Sequence, residues 1–277
     1  MKAKLFDYVE RHNVIYDLSG VTKLICFLLL TAAVMFSYDI RAIAVIMALS
    51  LVFLRMSGIQ FRQIKLMLLY VLLFLTLNFA LTFVFSPTYG TEIYGTEHVL
   101  FTIFGRYVVT SEQMLYQATK TLKYASVVPL GIIFFLSTNP SELAASINRA
   151  GIHYKAAFAF SLTLRYFPDL IRDYQDIAAA QQSRGLDLSK KERLGKRIKN
   201  ILNITIPLIF STLDRIDTIS NTMDLRGFGK EKKRTWYAAK PLKRNDCIAL
   251  AIALLLLLGT LALSAFVNRS KFYNPFV

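Results

Sequence analysis

The chain has 277 residues, 55% hydrophobic and only 18% charged, with a mean hydropathy of +0.43 and a formal net charge of +15. Hydrophobicity this high over a whole chain excludes disorder and an ordinary soluble domain. The apolar residues fall in blocks close to membrane thickness, so the chain reads as an integral membrane protein whose Lys and Arg excess marks a cytoplasmic side rather than a nucleic-acid surface.

Charges at Lys2, Lys4, Asp7, Glu10 and Arg11 precede the first apolar run, which starts near Val21 and lacks a small-residue cleavage site, so no cleavable signal peptide is expected. Apolar blocks follow near 21–38, 40–54, 64–86 and 113–137, with a last one near 247–267 that includes Leu250 through Leu263. The third and fifth are long and uncharged, meeting the length of about 20 residues that a helical span requires. The second is short, and the fourth carries Lys120 and Lys123 near its start. Cys26 and Cys247 lie in apolar blocks and form neither a CxxC nor a zinc spacing. His12, His98 and His153 are far apart and make no HxxxH pair.

Charge orients the chain. Arg55, Arg62 and Lys65 lie between the second and third blocks, whereas 87–112 carries Glu92, Glu97 and Glu112 with only Arg106. The segment 138–246 holds 20 Lys and Arg against 11 Asp and Glu. If 55–65 and 138–246 are cytoplasmic, the N-terminus is inside and the C-terminus outside, and five crossings fit. The stretch 87–112 is then an outside loop, broken by Pro87, Gly90, Gly95 and Gly105.

Residues 138–246 read as helices rather than as a loop. Ser141 or Asn139 before Pro140 and Glu142 starts a short one, which Gly151 ends. A longer one runs from about Tyr154 to Ser183, with an apolar stripe of Phe160, Leu164, Phe167, Ile171, Tyr174 and Ala178. A third runs from about Arg197 to Leu225, with Ile209, Leu213, Ile216, Ser220 and Met223 on one side. Between them Lys190, Lys191, Arg193, Lys196 and Arg197 form a basic cluster, solvated or facing anionic lipid headgroups. Arg165, Pro168 and Asp169, and likewise Asn200, Asn203 and Pro207, argue for helices lying at the cytoplasmic face. Two additional crossings would preserve the same end topology. Pro168 removes a helix hydrogen bond and is expected to bend the second helix, with Arg165 either snorkelling or taking a specific part.

The two long helices end alike, in Ser183-Arg184-Gly185 and Leu225-Arg226-Gly227. Gly is the preferred residue for a left-handed turn after a helix, and Arg is favourable beside the negative helix end. Two ordinary C-caps would explain each motif alone; two copies 42 residues apart, on consecutive helices, are harder to dismiss.

With these motifs the chain resembles the transmembrane T component (EcfT/CbiQ type) of energy-coupling factor (ECF) transporters. The paired motifs look like that family's two Ala-Arg-Gly signatures, with Ser183 and Leu225 in place of Ala. Asp17-Leu18-Ser19-Gly20-Val21-Thr22-Lys23-Leu24 resembles its N-terminal Asp-Pro-Arg-x-Lys-Leu pattern with the Pro-Arg pair altered. Asn139-Pro140-Ser141-Glu142-Leu143 resembles the start of its coupling domain, and Leu164-Arg165-Tyr166-Phe167-Pro168 its Arg-Phe-x-Pro segment. The resemblance covers essentially the whole chain.

It implies an all-α integral membrane protein of the bacterial-type plasma membrane, with about five transmembrane helices and a cytoplasmic coupling domain of crossed amphipathic helices. Residues 1–137 would hold the first four spans, 138–240 the coupling domain, and 241–277 the last span and tail. It further implies that Arg184 and Arg226 engage two ABC-type ATPase subunits, with Gly185 and Gly227 ending each helix for close approach. A separate substrate-binding S component would sit on the apolar surface of the coupling helices, and a vitamin or transition-metal ion would be imported. ATP and magnesium would belong to the ATPases and no cofactor to this chain. In keeping with that, Gly227-Phe228-Gly229-Lys230 is followed by Glu231 where a phosphate loop needs Ser or Thr. The rivals are a permease subunit that itself forms the path, a membrane-embedded enzyme and a non-transport anchor. The uncharged third and fifth blocks, with Asn78 as their polar exception, disfavour the first. Asp214, Asp217 and Asp224 read as a solvated or ATPase-facing surface rather than an enzyme's metal site.

Overall fold

A computed structural model of the chain describes residues 13–104, 107–186, 194–231, 235–237, 240–268 and 272–275. It divides into two compact units, Met1–Glu142 with Ala239–Val277, and Leu143–Ala238.

The first unit is a helical bundle that places a helix at each of the five apolar blocks. After a single turn, α1 (Val14–Asp17), come α2 (Gly20–Phe36), α3 (Ile40–Met56) and α4 (Phe61–Phe85). The bundle then continues through α6 (Ser111–Ser137) and α10 (Arg244–Ala262), the last running on as a π-helical turn, Leu263–Val267. Helix α4, helix α6 and α10 with its π turn are each long and apolar enough to cross a membrane. Helices α2 and α3 have 17 residues each, about 25 Å at 1.5 Å per residue, which is shorter than a hydrocarbon core of about 30 Å.

Helix α2 packs on α6 and α10, and α3 packs on α6. Leu30, Ala33 and Val34 from α2 meet Ile43 and Ile46 from α3, Leu130 from α6 and Ala253 from α10 in one buried cluster. The small residues Ala33 and Ala253 permit close backbone approach where lipid, being as apolar as the core, gives no hydrophobic drive. Helix α4 buries only Ile64. It is held to α6 by bonds from Gln117 Nε2 to the Phe79 carbonyl (3.1 Å) and from Lys120 Nζ to Thr82 Oγ1 (2.8 Å). Lys123 donates to the Met35 carbonyl (2.6 Å) and sits 3.5 Å from the Tyr38 ring centroid. Both lysines that break the fourth apolar block therefore have partners inside the bundle, which is how a span tolerates charge.

The stretch expected as an outside loop carries regular structure. It contains α5 (Tyr89–Tyr94) and an antiparallel hairpin of β1 (Val99–Phe104) and β2 (Tyr107–Thr110). Aromatic and β-branched residues in both segments favour pairing. Glu112 at the start of α6 anchors the hairpin by accepting from the Thr96 hydroxyl and the His98 backbone N–H, with His98 Nδ1 at 2.6 Å. Gly90 is required by contact: a Cβ there would lie 2.5 Å from the Gln113 Cα.

The ends of the bundle are tied by polar bonds. Asp246, in the first turn of α10, accepts from the Ser19 N–H before α2 (2.8 Å) and from the Lys243 N–H (2.7 Å). Asp246→Ala is expected to cost about 1–3 kcal/mol, because the buried Ser19 N–H and the partly buried Lys243 N–H lose their acceptor. The variant should melt several degrees lower in detergent; an unchanged melting temperature would contradict the role.

Three further helices are α7 (Pro140–Arg149), α8 (Tyr154–Ser183) and α9 (Leu194–Leu225). Asn139 Oδ1 accepts from the Ser141 N–H (3.1 Å), which selects Asn139 as the residue that starts α7. In the second unit α8 packs on α9. Both continue as helix through an internal proline, Pro168 in α8 and Pro207 in α9.

Candidate functional site

The Arg-Gly motifs form the C-terminal ends of α8 and α9, and the two ends share one geometry. Gly185 has φ +85° and Gly227 φ +69°. The Gly185 N–H donates to the Gln182 carbonyl and the Leu186 N–H to that of Gln181. The Gly227 N–H donates to the Asp224 carbonyl and the Phe228 N–H to that of Met223. This is the Schellman arrangement, with glycine in the left-handed position and arginine as the C-cap residue in both cases. Gly151 (φ +108°) ends α7 in the same way. A Cβ on Gly185 would meet nothing within 4 Å. Gly185→Ala is therefore expected to cost only its backbone strain, about 1 kcal/mol. It should speed amide exchange around residues 181–186 without removing the arginine.

Ser183, Arg184, Gly185 and Arg226 are exposed, Gly227 is partly exposed, and Leu225 is 90% exposed. Ser183 Oγ turns back to the Ala179 carbonyl (3.0 Å) and Leu225 makes no use of its apolar surface. Among the described residues neither motif guanidinium has an ion-pair partner. Each end thus presents an exposed guanidinium on a helix terminus fixed by backbone bonds, a form suited to a carboxylate or carbonyl-lined groove on another molecule.

The apolar stripes of the two helices are also left uncovered. Phe160, Phe167, Ile171 and Tyr174 on α8 are exposed, as are Ile209, Leu213 and Ile216 on α9. Ala178 is the buried member of the α8 stripe. Arg165 is exposed, with its guanidinium 5.9 Å from the Tyr166 ring centroid, and Pro168 is exposed beside it. Asp214, Asp217 and Asp224 are exposed on α9, and no group of three or more metal-ligating side chains occurs among the described residues. Asp187, Lys190, Lys191 and Arg193 lie outside the described residues.

Two features of this unit have almost no signature in the sequence. Arg215 Nη2 on α9 lies 2.6 Å from Asp173 Oδ2 on α8. An aromatic group binds the start of α8 to the turn after α9: Phe158 packs against Phe228 at a tilt of 40° (centroids 4.7 Å apart) and lies 6.3 Å from Trp236, and Tyr154 meets Phe228 edge-on (5.8 Å). Trp236 Nε1 donates to Asn148 Oδ1 (3.0 Å) on α7. The sole tryptophan of the chain was the one available signal.

The resembling stretch Asp17–Leu24 has a place of its own, in the first unit. Lys23 is buried and donates to the carbonyls of Tyr16 (3.1 Å) and Ser137 (2.8 Å). Lys240 donates to the same Tyr16 carbonyl (2.8 Å) and pairs with Glu142 (3.6 Å). The N-terminal motif, the end of α6, the first turn of α7 and the approach to α10 are thereby joined. Between α2, α3, α6 and α10 lies a cavity of about 330 Å³ whose polar lining side chains are Lys23, Ser50 and Asn245.

The model of the CbiQ family, described as cobalt transport protein, matches residues 11–237. The energy-coupling factor transporter transmembrane protein EcfT of Streptococcus equi subsp. equi is 25% identical over 263 residues, 90% of this chain and 92% of that protein. The protein of the same name from Bacillus selenitireducens is 28% identical over 149 residues, 51% of this chain and 55% of that one. A putative ABC transporter ATP-binding protein of Bifidobacterium longum is 28% identical over 163 residues, 56% of this chain and 21% of that protein. In the last two the chain spans less than two thirds of the relative's length. With three helices long and apolar enough to cross a membrane and a family match over most of its length, the chain is a multi-pass membrane protein and belongs to the CbiQ cobalt transport protein family.

Proposed function

We propose that the chain is the transmembrane coupling subunit of an ECF-type ABC importer. It transmits ATP-driven motion of two ABC-type ATPase subunits, identical or related, to a membrane-embedded substrate-binding S component that takes up a vitamin or transition-metal ion. Arg184 and Arg226 contact the ATPases. ATP and magnesium stay on those partners, and this chain is not catalytic. The N-terminus and residues 138–240 face the cytoplasm and the C-terminus lies outside.

One observation carries the reading: two exposed arginines occupy the same C-cap position on two consecutive helices, without an ion-pair partner among the described residues. The uncovered apolar stripes of α8 and α9 supply a surface for the S component. A relative named for ABC-type ATP binding carries a stretch similar to this chain within a much longer polypeptide, which supports ATPase partners. The alternative, a permease that forms the path itself, calls for a polar bundle interior. The mainly apolar cavity favours the scaffold instead.

Co-purification from native membranes in mild detergent tests the proposal, with wild type beside Arg184→Glu/Arg226→Glu. Wild type should bring down two ABC ATPase subunits and a small membrane protein, and the double variant should lose the ATPases. A wild-type chain that purifies without any ATPase would sink the reading.

A further inference from the structure

Aligning α8 and α9 on their Arg-Gly ends brings Asp173 opposite Arg215 in sequence. Eleven residues separate Asp173 from Arg184, and eleven separate Arg215 from Arg226. These two equivalent positions meet, at 2.6 Å. Eleven residues make about three turns, so on each helix the ion-pair residue and the motif arginine share one face. A contact between equivalent positions of a repeated element sets like against like, as in an isologous interface. Here the charge order is inverted, Arg172-Asp173 on α8 and Asp214-Arg215 on α9, so the contact becomes attractive. Arg172 is occupied separately, 3.5 Å from Asp169 on its own helix.

The direction of the helices follows from the aromatic group. Tyr154 and Phe158, at the start of α8, meet Phe228, just past the end of α9. Residue numbers fall along α8 as they rise along α9, so the two C-terminal arms leave the ion pair in opposed senses. Each arm measures about 16 Å, which sets the motif ends as much as about 33 Å apart. A change of about 10° at the contact would move each end by about 3 Å, given the same rise per residue.

We propose that the Asp173–Arg215 ion pair is the pivot of the coupling element: it fixes the point about which α8 and α9 turn, equidistant from both Arg-Gly ends. Asp173 and Arg215 are positioning residues. They touch no ATPase; they ensure that displacement at one end is matched at the other. This rests on the coupling function proposed above.

The test uses the full chain in lipid nanodiscs, with Cys26 and Cys247 replaced and spin labels at the equivalent exposed positions 182 and 224. Pulsed dipolar spectroscopy should give one narrow distance distribution in the otherwise unchanged chain, a broad one in Arg215→Asp, and a narrow one again in the exchange Asp173→Arg/Arg215→Asp. In the assembled transporter, uptake per ATP hydrolysed should fall about tenfold in Arg215→Asp, where like charges are forced together, and recover in the exchange. A distribution that ignores Arg215→Asp, or an exchange that restores neither distance nor uptake, overturns the pivot. An assembled complex whose uptake ignores Arg215→Asp overturns the pivot alone. A wild-type chain that carries no ATPase overturns the coupling function and the pivot's part in it together.

Discussion

Reversing both motif charges, in Arg184→Glu/Arg226→Glu, is expected to abolish uptake while the protein still inserts in the membrane. The caps themselves should survive, because they are built from backbone N–H groups of Gly185, Leu186, Gly227 and Phe228. No ion pair among the described residues is lost. The intrinsic cost is a carboxylate beside each negative helix end, about 0.3–1 kcal/mol. The cost at a partner groove is larger, because a charged contact buried on docking contributes about 2–5 kcal/mol when truncated. The single variants should therefore each weaken one ATPase site, and the double variant should fall below detection. Uptake measured against membrane abundance reads the effect, and undiminished uptake by the double variant would defeat the assignment.

Removing the buried cation at the N-terminal motif, in Lys23→Met, is the largest expected stability effect. Lys23 satisfies two carbonyls, those of Tyr16 and Ser137, at a place shielded from water. The Tyr16 carbonyl keeps its second donor, Lys240, so the change falls on the bond that ties α2 to the end of α6 at Ser137. Two lost bonds to a charged donor and one orphaned buried acceptor, the Ser137 carbonyl, together set the expected loss at about 3 kcal/mol. The variant should accumulate poorly and unfold earlier in detergent. Lys240→Met should cost less, because Lys240 is partly exposed and its Glu142 contact is long, at 3.6 Å. Equal stability of wild type and Lys23→Met would contradict this.

Helix α8 was legible to the residue, Tyr154 to Ser183, because its end is written in local chemistry: a glycine that alone accepts a left-handed turn, preceded by a cation. Helix α9 begins three residues before the expected Arg197, at Leu194, where no capping residue marked the start. The hairpin 99–110 was hidden because Gly95, Gly105 and the acidic residues around them read as a loop, and the partner that holds it, Glu112, lies on the next helix. The ion pair Asp173–Arg215 was illegible for a different reason. Its members are single charges 42 residues apart, and only the packing of two helices selects them from the other charges on α8 and α9. Lys120 and Lys123 weakened the fourth span in the sequence because their acceptors, Thr82 and the Met35 carbonyl, sit on other helices.

Site-specific cross-linking in native membranes reads the proposed contact of both Arg-Gly ends with ATPases. A photoreactive residue placed at Ser183 in one variant and at Leu225 in another reports what each helix end touches. Each position should yield one adduct, carrying an ABC-type ATPase subunit. Adducts from one end only, or adducts without an ATPase at either end, would contradict it.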